Sequence, residues 1–382
     1  MIFVALKMLV GDRLKYVALV AGVAFAALLI TQQASIFTGY SMRTGSWVAD
    51  LQWADLWVMD PQVRFADDIK PVQETALQRV RGVPGVASAV PLYKGYLKCR
   101  LPDGTLLQSR VIGLDDATLA GGPPEVLGQP LTVLRQDKAV LVNSADLADK
   151  LRLTREADRP LDVGERISLN DHEAVVVGTY KATPEFFWEP VIYTTYSRAL
   201  SMAPPERKLT QYVLVKLAPG ADRDAVAREI KAVTGLDART PEAFRWAAAT
   251  YIINKTGILV NFGMTIGLGF VIGLLVAGQT FYTFVIDNLR HFGALKAMGA
   301  SNGAVLRMLV TQVVVVGAVG YGLGLGVASL TGILFESIGL AFRMTWHIPA
   351  VGGAAVLACC MMAGVFGMFR VLRLEPAVVF KA

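Results

Sequence analysis

Residues 256–286 decide the fold, and they read TGILVNFGMTIGLGFVIGLLVAGQTFYTFVI. These 31 residues include no Asp, Glu, Lys or Arg. The hydrocarbon core of a bilayer is about 30 Å thick, a distance that roughly 20 helical residues can cross. Three further stretches are equally free of charge and long enough to span: 16–42, 308–335 and 348–369. The sequence therefore predicts an α-helical membrane protein with four transmembrane helices, the first of them retained as an anchor.

The charges that flank these stretches are distributed unevenly. Residues 43–255 contain 27 basic and 27 acidic residues, so the net charge of +6 arises elsewhere. Three short segments each carry three basic residues against one acidic residue: 1–15, 287–307 and 370–382. Because cytoplasmic segments are enriched in Lys and Arg, we expect both termini and the 287–307 loop in the cytoplasm. Residues 43–255 and the short 336–347 loop are then periplasmic, and nothing in the charge balance indicates nucleic-acid binding.

The composition agrees with a membrane protein. Of the 382 residues, 54% are hydrophobic and only 18% are charged, and the mean hydropathy is +0.47. Charged residues make up about 25% of a typical globular domain, so a fully soluble chain is excluded, and a disordered chain would need low hydrophobicity. Three cysteines and three histidines are too few and too scattered for a disulfide framework or a His/Cys metal cluster. We expect no metal, no cofactor and no catalytic residue.

The external segment is large enough to form a domain with its own core. Strand, turn and helix patterns at 43–113 and 209–240 predict the two halves of a porter-like α+β domain. Short strands and frequent turns at 114–208 predict a β-rich insert between the halves. A helical pattern over 241–255 predicts a stalk that runs directly into the second span.

Two aromatic clusters in this segment each allow two interpretations. The first cluster consists of Trp47, Trp53 and Trp57, just after the first span. It fits either an aromatic belt at the membrane surface or early packing inside the domain. The second cluster lies in PEFFWEP, residues 184–190, and consists of Phe186, Phe187 and Trp188. It fits either a contact site for an adaptor protein or an amphiphilic substrate, or a loop folded back on its own domain.

Glycines recur at four-residue spacing in two of the predicted spans. The pairs are Gly263/Gly267, Gly269/Gly273, Gly320/Gly324 and Gly322/Gly326. This spacing allows two helices to approach closely. The close approach can occur within the four-helix unit or between two copies of the chain, and the sequence leaves both open.

The 287–307 loop contains an amphipathic segment, DNLRHFGALKAMGA at 287–300. Its apolar residues recur every three positions and predict a short helix with a sloping apolar ridge: Leu289, Phe292, Leu295 and Met298. Arg290 and Lys296 keep this helix at the membrane surface, and Gly299 is a natural helix stop. The pattern alone fits an ordinary basic connector as well as a docking element.

The same segment resembles the R-E-x-G-x-L-[RK]-A-[LM]-G-A signature of FtsX/MacB-type ABC transporter permeases. The matching residues are Arg290, Gly293, Leu295, Lys296, Ala297, Met298, Gly299 and Ala300. The tail RLEPAVVF at 373–380 is similar to the R-x-x-P-A-x-x-L ending of that family, and the order of one span, a large external domain and three spans is also similar. The chain start and residues 83–91 look closest to the DevC and HrtB branches. His291 stands where the family usually has an acid.

The resemblance implies a permease that works with a separate ABC ATPase subunit, as a homodimer. In such permeases the loop helix docks on the ATPase, which assigns ATPase coupling to one group of residues: Leu289, Arg290, His291, Phe292, Gly293, Leu295, Lys296, Met298 and Gly299. A P-loop needs the dipeptide Gly-Lys, which does not occur in this sequence, so we expect ATP hydrolysis on the partner chain.

The implied function is export from the inner (plasma) membrane. ATP-driven movement of the periplasmic domain would drive an amphiphilic substrate toward a periplasmic adaptor protein, and the expected contacts also include membrane lipids. The alternative is an FtsX-like transducer that transports nothing and activates a periplasmic cell-wall hydrolase.

Overall fold

A computed structural model describes residues 2–155, 158–186, 189–205 and 209–372. The chain divides into two compact units. A helical unit comprises residues Met1–Tyr40 and Thr256–Ala382, and an α+β unit comprises Ser41–Lys255.

The described residues form twelve α-helices and twelve strands. The helices are α1 Ile2–Gly11, α2 Arg13–Arg43, α3 Ser46–Asp50, α4 Thr75–Arg81, α5 Ser144–Asp149, α6 Tyr196–Met202, α7 Arg223–Thr234, α8 Pro241–Lys255, α9 Ile258–Asp287, α10 Leu289–Ala297, α11 Asn302–Ser337 and α12 His347–Leu372. The strands are β1 Leu56–Met59, β2 Val86–Arg100, β3 Leu106–Leu114, β4 Glu125–Leu127, β5 Ala139–Asn143, β6 Arg152–Leu153, β7 Arg159–Pro160, β8 Arg166–Leu169, β9 His172–Lys181, β10 Val191–Thr195, β11 Tyr212–Leu217 and β12 Asp237–Arg239.

Four of the described helices are long and apolar enough to cross a membrane, namely α2, α9, α11 and α12. They contain the four charge-free stretches of the sequence apart from Thr256 and Gly257, which precede α9. At the start of α11, the Ser301 hydroxyl accepts a hydrogen bond from the Ala304 amide at 3.2 Å, which caps the helix. The predicted four transmembrane helices are confirmed, and the protein is a multi-pass membrane protein.

The predicted glycine pairs divide by the face of the helix on which they lie. A Cβ on Gly269 would lie 3.1 Å from the Leu29 Cβ, and one on Gly320 would lie 2.7 Å from the Val23 Cβ. Gly273 and Gly324 likewise lie against α2. Four other glycines would have no atom within 4 Å of an added Cβ: Gly263, Gly267, Gly322 and Gly326. Two pairs therefore serve packing within the helical unit, and two pairs point out of it.

The α+β unit is built on one ten-stranded sheet with the order β12-β1-β11-β2-β3-β10-β5-β9-β4, and β8 pairs with both β2 and β9. The first part of β2 pairs with β11 and the second part pairs with β3. The two predicted halves thus supply neighbouring strands. The strands of residues 114–208 extend the same sheet beyond β3, which confirms an α+β domain.

Two local features of the first half depend on pairing across the unit. Pro91 and Gly95 both lie inside the continuous strand β2. The helix that follows Pro71 begins only at Thr75, and Val72 forms a bridge with Thr210.

The tryptophans after the first span pack inside the α+β unit. Trp57 is fully buried, and its ring centroid lies 5.2 Å from that of Trp47 and 5.6 Å from that of Phe244. Trp53 packs against the same cluster, half-buried. The interpretation as domain packing is confirmed, and the membrane belt is wrong for these residues.

The stalk helix α8 forms where the sequence predicts it, but it does not continue into the second span. It ends at Lys255, and α9 begins at Ile258. Gly257 between them has a φ of 70°, in the left-handed region that glycine adopts without strain. This glycine ends the helical hydrogen-bonding pattern, so the stalk and the span are two helices.

Candidate functional site

The loop between the second and third spans forms the predicted short helix, α10. Gly299 follows it with a φ of 93°, as expected of a helix stop. On the preceding side, Asp287 pairs with Lys15, whose ammonium also lies 2.9 Å from Asp12. The loop is therefore held to the segment that begins the first span.

The predicted apolar ridge does not lie on one face of α10. Phe292 is fully buried and belongs to the apolar cluster that contains Leu9, Phe284 and Leu309, whereas Met298 is 76% exposed. The reason is geometric: nine positions in a helix with 3.6 residues per turn amount to two and a half turns, so Leu289 and Met298 point in opposite directions. Phe292 therefore packs with the membrane helices, whereas Met298 is exposed to solvent.

The other loop residues sort into the same two faces. Gly293 is buried, and Leu289, Leu295 and Lys296 are half-buried. The exposed residues are Arg290, His291, Ala297, Met298 and Gly299. We call the set Arg290, His291, Ala297 and Met298 the loop face. Phe292 attaches α10 to the membrane helices, and the loop face remains accessible.

The aromatic segment at 184–190 is fixed by its neighbours at its amino-terminal end. The Thr183 amide donates a hydrogen bond to the Asp50 carboxylate at 2.7 Å, and the Ser46 hydroxyl donates to the Pro184 carbonyl at 3.1 Å. Phe186 is half-buried. Phe187 and Trp188 lie outside the described residues, as does the 373–380 tail.

A buried ionic cluster fixes the same segment from inside the α+β unit. Arg110 on β3 pairs with Glu185 and donates a hydrogen bond to the Glu189 carbonyl at 3.2 Å. Asp67 accepts from Arg110 at 3.3 Å and lies 2.9 Å from the Lys94 ammonium. We call Asp67, Lys94, Arg110 and Glu185 the ionic cluster.

The side chains of the ionic cluster are nearly removed from solvent. Those of Lys94 and Arg110 are each 1% exposed, and that of Asp67 is 9% exposed. The Lys94 ammonium also lies 3.8 Å from the centroid of the Trp47 ring, a cation–π contact. Because a buried charge without a partner is strongly unfavourable, each of these groups depends on the others.

Electrostatics within the cluster favour the charged forms. Burial by itself would raise the pKa of Asp67, but the charges of Lys94 and Arg110 outweigh it and hold that pKa below its ordinary value. Burial would lower the pKa of Arg110, and Glu185 and Asp67 raise it instead. A cavity of about 380 Å³ borders the cluster and is lined in part by Asp67, Lys94 and Tyr96.

Sequence reasoning missed the ionic cluster and its role in holding the aromatic segment. The only local signal is a basic residue inside the apolar part of each of two strands, Lys94 in β2 and Arg110 in β3. Their partners come from loops far away in the chain. Among the residues that the structure describes, no three His, Cys, Asp or Glu side chains group closely enough to hold a metal ion.

Family models match most of the chain. Residues 17–233 match the MacB-like periplasmic core domain, and residues 263–376 match the FtsX-like permease C-terminal region. The first match covers the first span and most of the α+β unit, and the second covers most of the second span, the loop that follows it and the third and fourth spans.

Individual relatives agree with these models. The macrolide export ATP-binding/permease protein MacB of Shewanella sp. (strain ANA-3) is 25% identical over 56% of this chain, which spans only 34% of that protein's length. An uncharacterised ABC transporter permease of Mycobacterium tuberculosis (strain CDC 1551 / Oshkosh) is 23% identical over 81% of this chain and 79% of its own.

Among solved structures, the periplasmic region of MacB from Actinobacillus actinomycetemcomitans is 11% identical and covers 52% of this chain and 96% of that chain, with a TM-score of 0.37. The two family models together account for the external domain, the loop helix and the spans that follow it. The chain therefore belongs to the FtsX/MacB family of ABC transporter permeases.

Proposed function

We propose that this chain is the permease subunit of an ABC exporter in which a separate ATPase subunit drives movement of the periplasmic domain. The α+β unit would pass an amphiphilic substrate toward a periplasmic adaptor protein. The observation that carries this proposal is the loop helix α10, with Phe292 buried among the membrane helices and the loop face exposed. A force applied to such a helix reaches the membrane helices because its inner face is part of their core.

Export is supported by the similarity to the MacB relatives, which are named as macrolide export proteins. Those relatives are named as ATP-binding and permease proteins, and this chain spans 34% of their length. We propose a separate ATPase chain because the Gly-Lys dipeptide of a P-loop does not occur in this sequence. The proposed location is the plasma membrane with both termini in the cytoplasm, in agreement with the positive-inside rule. Purification of the tagged chain from solubilised membranes should also recover an ABC ATPase and an adaptor protein. Recovery of a cell-wall hydrolase instead of the adaptor would favour the alternative function, a transducer that transports nothing.

The loop face is expected to control ATPase coupling. Met298→Asp on the loop face, and Lys296→Glu at the half-buried residue beside it, should each weaken capture of the ATPase about fivefold, roughly 1 kcal/mol, because they place negative charge at or next to the proposed contact. Membrane insertion should remain normal. Capture and stimulated ATP hydrolysis are measured with purified subunits, and Arg343→Glu, an exposed residue in the loop between α11 and α12, serves as the control. Equal ATPase stimulation by all three variants would exclude this site.

Phe292→Ala is expected to act differently from the loop-face variants. Removal of a fully buried aromatic ring should destabilise the helical unit by about 3–5 kcal/mol. Lower coupling in this variant should therefore appear together with a lower unfolding temperature, which separates attachment of α10 from contact with the partner.

Two copies are proposed to associate through α9. In the most apolar 18-residue stretch of α9 only 11% of the residues are buried, compared with 33–39% in the other three spans. Gly263 and Gly267 on α9 point outward. Gly267→Leu should weaken dimerisation about tenfold, or roughly 1.4 kcal/mol, by preventing close approach of two helices. Light scattering in detergent measures the oligomeric state. Gly322→Leu on α11 is the matched control, and the reverse pattern would move the interface to α11.

The aromatic segment is proposed to contact the adaptor or the substrate. Replacement of Phe187 and Trp188 together by Ser should weaken adaptor capture and leave ATPase capture unchanged, because aromatic side chains are enriched among the residues that contribute most to interface energy. Capture of both partners is compared in one pull-down. Unfolding of the α+β unit, detected by protease digestion, would instead favour a segment folded onto its own domain.

A further inference from the structure

A groove of about 770 Å³ lies between the first helix and the start of the third span. It is lined by Phe3 on α1 and by residues of the first turns of α11: Ala304, Leu306, Arg307, Met308, Val310 and Thr311. Its volume falls within the range of about 300–1,000 Å³ that is typical of small-molecule sites. Its lining is apolar except for Arg307 and Thr311.

The position of the groove follows from the sequence of α11. Arg307 is exposed and is the last charged residue before the charge-free stretch 308–335. At 1.5 Å per residue, Ala304 to Thr311 covers about 10 Å along the helix axis. The groove therefore begins at the level of the lipid headgroups and extends into the hydrocarbon layer.

α1 forms the second wall of the groove and is firmly attached. Ala5 and Leu9 are fully buried, and the buried Gln312 side chain donates a hydrogen bond to the Ala5 carbonyl at 2.8 Å. The opposite face of α1 is exposed: Phe3 is 75% exposed, and Lys7 follows four residues later on the same face. A second cation thus lies one helical turn from the groove.

We propose that this groove binds one anionic phospholipid of the adjacent leaflet. Its acyl chain would lie along Phe3, Leu306 and Val310, and its phosphate would meet Arg307, with Lys7 adding to the positive field. Among the described residues, no carboxylate lies within ion-pair distance of either cation. A basic residue at the end of an apolar groove between membrane helices matches the charge and shape of an anionic lipid.

The test measures lipid selectivity in the full-length protein. The purified chain is equilibrated in mixed micelles of equal phosphatidylglycerol and phosphatidylcholine, and native mass spectrometry counts the retained lipids. We expect one phosphatidylglycerol per subunit. Since one basic residue at a membrane surface contributes about 1 kcal/mol, Arg307→Gln should lower the preference for phosphatidylglycerol about fivefold, and addition of Lys7→Gln should lower it about 25-fold. Arg343→Gln, which removes an exposed cation outside the groove, should leave the preference for phosphatidylglycerol unchanged.

A second variant tests the apolar part of the groove. Thr311→Phe fills the groove and keeps both cations, and it should abolish retention of the lipid. Equal retention of both lipids by the wild type, or unchanged retention in Arg307→Gln, would overturn the proposal. So would an Arg307→Gln variant that keeps its lipid but loses ATPase capture or changes its oligomeric state, because the groove would then be a protein interface. Which leaflet supplies the lipid depends on the proposed function. Retention of the lipid in micelles does not depend on it, so the lipid proposal and the proposed function can fail separately.

Discussion

Asp67→Asn is expected to destabilise the α+β unit by about 3–5 kcal/mol, the usual effect of removing one partner from a buried ion pair. The substitution leaves Lys94 and Arg110 buried without their shared carboxylate. For a domain of this size the loss corresponds to a fall of about 10 °C in the unfolding temperature. Tryptophan fluorescence of the full-length protein in detergent reports the transition, because Trp47 and Trp57 lie in the core of this unit.

A carboxylate with two cationic partners at the surface, Glu173, provides the matched control for this prediction. Glu173 pairs with Lys138 at 2.6 Å and with Arg166 at 2.8 Å, all at least one-third exposed. Glu173→Gln should leave the unfolding temperature nearly unchanged, because solvent screens ion pairs at the surface. Addition of Lys94→Met to Asp67→Asn should recover part of the loss, because it removes the buried cation that Asp67 neutralises, whereas Arg110 keeps its pair with Glu185. Additive losses in the double variant would contradict the electrostatic explanation.

The same cluster determines how stability depends on pH. The pKa of Asp67 lies below its ordinary value in the folded protein, so its contribution is present above the ordinary pKa and is lost as the pH falls through the folded one. The unfolding temperature of the wild type should therefore fall steeply below about pH 4. Asp67→Asn should show a flatter profile in that window.

The spans could be predicted from the sequence because length and absence of charge are sufficient to define them. The loop helix was also predictable, since its residues are local. The side of α10 that faces the protein could not be predicted, because Phe292 is buried in a cluster with Leu9 and Leu309, which belong to other helices. A repeat of three indicates a helix, but it does not tell which residues the remaining helices will cover.

The ionic cluster could not be predicted for a similar reason. Its members are separated by 16 to 118 positions and come together only when β2, β3 and two loops are assembled. A single Lys or Arg in an apolar strand is also common at sheet edges, where it is solvated. The family resemblance indicated the domain and its partners, whereas the residues that hold the aromatic segment required the structure.

Gly324→Ala is expected to destabilise the helical unit by about 1–3 kcal/mol, although alanine is the better helix former. The added Cβ would lie 2.6 Å from the Ala27 Cβ and against the Ala24 carbonyl oxygen on α2. Because the obstacle includes backbone, it cannot move away as a flexible side chain does. Gly324→Leu should have a larger effect, visible as aggregation or loss of the folded protein on size-exclusion chromatography.

Gly326→Ala is the control, since it lies on the same helix two residues away with no atom within 4 Å of an added Cβ. There only the helix propensity changes, so the variant should be neutral or more stable by up to about 1 kcal/mol. Opposite signs for two identical substitutions would establish that α2 and α11 are in backbone contact at Gly324. Equal stability of the two variants would mean that these helices are further apart. The Gly324 face of α11 could then no longer be assigned to packing within the chain, nor the Gly326 face to contact with lipid or a second copy.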